Sequence, residues 1–101
     1  MASDCVVLES AREEVEDIVE YLLAVSDGPS AARSFLDSFE ALLREVAANP
    51  SLHALSRLPE IAALGYRAAF MGRYAVLYFE RDGRVFVAHV FHQRRDYARL
   101  V

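Results

Sequence analysis

The side chains best equipped for chemistry lie in the second half of the chain. His89 and His92 can serve as general base or acid near neutral pH, and Tyr97 can serve as an acid. Arg67, Arg73, Arg94 and Arg95 can clamp phosphate oxygens through their guanidinium forks. Metal-free cleavage of RNA through the 2′-hydroxyl needs a base, a cation on the phosphorane and an acid for the leaving 5′-oxygen. These residue types could supply all three. The spacing argues against a histidine pair, because residues three apart on a regular strand point to opposite faces. One of the two histidines is therefore expected to pack against the core or the tail. Arg94 and Arg95 are the densest cationic pair, and with Asp96 and Tyr97 they form a candidate surface for an acidic target. Asp96 reads equally well as a local ion pair or cap with Arg94, Arg95 or Arg99, worth ~0–1 kcal/mol on a surface. No cofactor or metal is expected: the single Cys5 excludes a cysteine-cluster zinc site.

The charge is split along the chain. Residues 1–56 carry 3 Arg against 11 acidic residues, and residues 57–101 carry 8 Arg against 4 acidic residues, for a net charge of −4. There is no lysine. The basic half also holds 8 of the 11 aromatic residues, between Tyr66 and Tyr97. Cations beside aromatic rings can hold single-stranded nucleic acid, but aromatics are also enriched in strands because they pack there. The acidic half equally reads as the solvated face of helices.

These residues must be positioned by a single domain, since 101 residues suffice for one core. One cysteine, no signal-peptide pattern and no long apolar run lead us to expect a cytoplasmic chain without a membrane span. Residues 4–9 read as a first strand. Ser10-Ala11-Arg12-Glu13 matches a capping box that opens a helix carrying Ala11, Val15, Ile18 and Leu22 on one face. Gly28 is suited to leaving that helix and Pro29 to starting the next. The second helix carries a wide apolar stripe of Ala32, Phe35, Leu36, Phe39, Leu42, Leu43 and Val46, and Asn49-Pro50 ends it. The short Asp27–Ser30 link makes the two helices an antiparallel hairpin.

The period then changes to two. Residues 65–71, 73–81 and 84–92 read as an antiparallel meander, with Gly72 as one turn and Asp82-Gly83 as a type I′ turn. On the middle strand Tyr74, Val76 and Tyr78 point one way and Ala75, Leu77 and Phe79 the other. A sheet apolar on both faces suggests a cover on the side away from the helices: the tail, a second copy of the chain, or a partner.

In this order, the strand, the helix Glu16-Asp17-Ile18-Val19-Glu20-Tyr21-Leu22, Ala32-Arg33-Ser34-Phe35-Leu36, Asn49-Pro50, Gly65-Tyr66-Arg67, Arg73-Tyr74-Ala75-Val76-Leu77-Tyr78 and His92-Gln93-Arg94-Arg95-Asp96-Tyr97 resemble the RelE/ParE superfamily of bacterial toxins. The resemblance covers nearly the whole chain. It implies an α+β domain of β-α-α-β-β-β order over residues 1–101, with a helical hairpin on a small sheet. It also implies the toxin of a type II toxin–antitoxin, or plasmid stabilization, module with a cognate antitoxin encoded by the adjacent gene. RelE-like members cleave mRNA on the ribosome, whereas ParE-like members poison DNA gyrase. RelE-like members usually carry an arginine where this chain has Ala75, and lysines that are absent here. The closing His92–Asp96 run looks nearer the ParE side. The expectation is therefore a non-enzymatic gyrase inhibitor with Arg94, Arg95, Asp96 and Tyr97 on its target surface. The alternative is a ribosome-dependent endoribonuclease using Arg67, Arg73, His92 and Tyr97.

Overall fold

A computed structural model describes residues 4–25, 28–51 and 62–93. The elements run β1 (Asp4–Val7), α1 (Glu9–Ala24), α2 (Gly28–Ala48), β2 (Arg67–Met71), β3 (Tyr74–Arg81) and β4 (Arg84–His92). They form the expected α+β architecture. Both helices pack on one four-stranded sheet of order β1-β4-β3-β2. β2, β3 and β4 are the antiparallel meander read from the period-two pattern. At its β3–β4 turn, Asp82 and Gly83 have φ of 54° and 77°, as a type I′ turn requires. β1 lies parallel to β4, with Cys5 opposite Val85 and Val7 opposite Val87.

The core lies between the helices and the sheet. Ala11, Val15, Phe35, Phe39, Leu42 and Val46 meet Ala69, Val76, Tyr78, Val85, Val87 and Val90. Phe35, Phe39, Leu42 and Val46 follow the i, i+4, i+7, i+11 row that faces the sheet. Leu36 was expected on this stripe but is 37% exposed, because one residue of rotation carries it off the row. Leu43, Ile18 and Leu22 pack at the core's edge. Each fully buried Leu or Phe contributes roughly 1.5–3 kcal/mol relative to exposure. The Tyr78 hydroxyl, on a fully buried side chain, donates to the Pro50 carbonyl at 2.9 Å, which ties the second residue after α2 to β3.

Three local expectations are corrected. The first strand stops at Val7 rather than residue 9, since α1 already begins at Glu9. Ser10 is not the N-cap: Leu8 is, with no side-chain cap bond, and the Ser10 hydroxyl donates instead to the Ala88 carbonyl at 2.7 Å. Gly28 does not end α1, which closes at Ala24. It is buried at the start of α2, where a Cβ would come within 2.6 Å of the Leu23 carbonyl oxygen. Its value is close approach of the helices rather than an unusual φ.

The second face of the sheet carries a smaller cluster. Ala75, Leu77 and Phe91 are buried, with Tyr66 and Ala68 against them. The face expected to need a cover already hides these three residues within the single chain, while Phe70 and Leu64 near it stay 54% and 62% exposed.

Candidate functional site

The β4 strand sets where both histidines go. Pairing slips between Leu77 and Tyr78, so that Tyr78 faces Val87 while Leu77 faces His89, leaving Ala88 as an extra residue on β4. β1 has ended by this point, and α1 takes over the strand's outer edge. The Leu8 and Val90 backbone N–H groups, the Ser10 hydroxyl and His89 all bind across this seam. Leu8 N donates to the Val87 carbonyl at 2.9 Å, and Val90 N donates to Glu14 Oε1 at 3.1 Å. His89 Nδ1 lies 3.1 Å from the same Glu14 oxygen, with the two side chains only 14% and 18% exposed. His89 is thus a packed, partnered histidine.

His92 lies at the other end of the regular segment, across from Tyr74, with ring centroids 5.7 Å apart. The three-residue spacing does separate the two histidines, and they form no acid–base pair. His92 is exposed and shares a cavity of about 390 Å³ with Gly72, Arg73 and Gln93. Gln93 fixes that turn: its backbone N–H donates to the Arg73 carbonyl at 2.9 Å, and its side-chain amide to the Gly72 carbonyl at 2.8 Å.

Arg67 is not part of this group. It sits across from Tyr78, four residues along the ladder from the Met71–Tyr74 pair, about 13 Å away at ~3.4 Å per residue. It is half-buried and engaged within the fold. The structure therefore brings Arg73 and His92 together and leaves Arg67 apart. Ala75 lies between Phe70 and Phe91 in the sheet, buried and without a functional group. Arg94, Arg95, Asp96 and Tyr97 lie outside the described residues.

Sequence reasoning missed Glu14 and Ser10 as clasps on β4. Nothing distinguishes Glu14 from its acidic neighbours until the bulge on β4 is known. A second cavity, of about 320 Å³, lies between α1 and the end of β4, with Asp17, Tyr21, Tyr74 and His92 in its wall. Cys5 is half-buried, and burial pushes its thiol up from the ordinary value, so little reactive thiolate forms near neutral pH. Iodoacetamide should accordingly label Cys5 more slowly than free cysteine at pH 8; equal rates would place the thiol in solvent. Among the described residues, no group of three His, Cys, Asp or Glu side chains could hold a metal, and no helix is long and apolar enough to cross a membrane.

A two-helix layer over a β1-β4-β3-β2 sheet is the fold of the RelE/ParE class of toxins. Residues 6–97 match the family described as the ParE toxin of the type II toxin–antitoxin system, parDE, and the chain belongs to that family. Among solved structures it is similar to the chromosomal ParDE TA system from P. aeruginosa, with a TM-score of 0.73 and 10% identity over 90% of this chain and 96% of that one. It is also similar to the RelBE2 toxin–antitoxin complex from Mycobacterium tuberculosis, with a TM-score of 0.64 and 18% identity over 94% and 95% of the two chains. At such identities the likeness concerns the fold. No curated protein sequence matches.

Proposed function

We propose that this ParE-family toxin inhibits DNA gyrase by protein–protein contact, without cleaving nucleic acid, and that an antitoxin encoded by the adjacent gene neutralises it in the cytoplasm. The observation that carries this reading is the dispersal of the chemical groups. His89 is engaged by Glu14, Arg67 is about 13 Å along the sheet from the Arg73 turn, and position 75 is a buried alanine. An arginine preorganised on a scissile phosphate is typically worth ~10²–10³ in rate, and position 75 presents none. Arg94, Arg95, Asp96 and Tyr97 are the proposed target contacts, because two adjacent arginines suit an acidic protein surface. The antitoxin assignment draws on the two similar structures, a ParDE system and a RelBE2 toxin–antitoxin complex.

One observation favours the alternative, a RelE-like ribosome-dependent endoribonuclease: Arg73 and His92 share one cavity, and Tyr97 follows five residues after His92. A supercoiling assay with purified gyrase separates the readings. Inhibition by the wild-type chain that Arg94→Ala/Arg95→Ala weakens, and that the co-purified antitoxin relieves, is the expected result. Undisturbed supercoiling at saturating toxin would overturn the gyrase assignment.

A further inference from the structure

The β2–β3 turn holds a second arrangement that gyrase inhibition does not use. Arg73 lines two cavities, of about 430 Å³ and 390 Å³, that also share Gly72. Its guanidinium has no hydrogen-bond or ion-pair partner among the described residues, whereas Arg67 and Arg84 are engaged. Ser34 and Ser38 of α2 line the larger cavity with it. They are one helical turn apart, so both hydroxyls face the same side. Leu22, Phe35 and Met71 add apolar lining. His92 lines the smaller cavity. No aspartate or glutamate is among the described residues that line either cavity, in a chain with 15 acidic residues against 11 arginines. The turn itself is held still by the two Gln93 bonds to its carbonyls, so the arginine backbone is ordered before any ligand arrives.

From this geometry we infer that Arg73, Ser34 and Ser38 form a binding site for a phosphate group. A guanidinium fork supplies two parallel donors to phosphate oxygens, and a tetrahedral oxyanion offers further oxygens to the α2 hydroxyls that line the same cavity. A carboxylate has only two oxygens to share between the fork and the hydroxyls, so a phosphate serves both better. The phosphate can belong to a free ion, a nucleotide or the end of a nucleic acid strand. No covalent step is involved, and the site acts by binding alone.

The test uses the purified full-length chain, without gyrase or antitoxin, so its outcome is independent of the gyrase reading. Backbone and arginine side-chain NMR shifts are followed during titration with inorganic phosphate, adenosine 5′-monophosphate, adenosine, a 5′-phosphorylated dinucleotide and acetate. Saturable shifts at Ser34, Ser38, Gly72 and Arg73 with the phosphate-bearing probes, none with adenosine and weaker ones with acetate, are expected. The tightest of the three phosphate probes identifies the source. Arg73→Ala should weaken binding roughly tenfold or more, as loss of a charged hydrogen-bond donor does. Arg73→Lys should restore part of it, and Ser34→Ala/Ser38→Ala should weaken it less. All three positions are exposed, so these variants remain folded. Absence of saturable shifts at millimolar phosphate, equal response to acetate, or binding unchanged in Arg73→Ala would each overturn the site.

Discussion

The two faces of the sheet use the same three meander strands but carry different loads. The helix-facing side presents Val76, Tyr78, Val85, Val87 and Val90 to six buried helix residues, in one continuous core. Among the described residues the opposite side buries a smaller cluster, Ala75, Leu77 and Phe91, with an exposed Phe70 at its margin. Strand alternation alone makes the faces look alike, since both are apolar along β3. The helices are what distinguish them. A residue's contribution therefore follows the depth of the layer above it, and changes on the shallow face should disturb the fold less.

Graded substitutions can break that comparison. Phe39→Ala empties the middle of the deep core and should lower unfolding free energy by about 3–5 kcal/mol. Leu77→Ala, on the shallow face, should cost about 2–3 kcal/mol, at the lower end for a buried leucine. Equal costs in chemical denaturation would show that the two faces bear the fold equally. Glu14→Ala sharpens the account of the seam between them: it strips an acceptor from Val90 N–H and His89, and should cost about 1–2 kcal/mol. Hydrogen exchange at Val90 should rise in that variant; unchanged protection would mean that Glu14 does not hold the strand edge. Arg12→Ala removes only a pair 62% and 72% exposed with Glu9, and its denaturation midpoint should match wild type within about 0.5 kcal/mol.

Much of this was legible in the chain because its signals are local. The 35/39/42/46 row, the Asn49-Pro50 stop, the Asp82-Gly83 turn and the alternation on β3 each declare themselves within a few residues. What was not legible depends on contacts across long sequence separations. Ser10 and Glu13 have the spacing of a capping box, yet the Ser10 hydroxyl is 78 residues away in sequence from the carbonyl it binds. The bulge that leaves Ala88 extra has no sequence marker, and it decides that Glu14 meets both His89 and Val90. Gly28 looked like a helix exit because the neighbouring carbonyls of Leu22 and Leu23 are visible only once α1 and α2 are packed. At the candidate site, the odd spacing of His89 and His92 correctly separated them. The distance of Arg67 from Arg73 required the β2–β3 register.

The central claim is that this toxin fold acts by contact rather than by cutting. The most direct measurement maps mRNA 5′ ends by primer extension after induction in cells, beside a supercoiling readout of plasmid DNA from the same culture. The account predicts no discrete cleavages within codons, relaxed plasmid topoisomers and a DNA-damage response. Discrete intracodon cleavages, abolished by Arg73→Ala or His92→Ala while supercoiling continues, would contradict it and establish the ribonuclease instead.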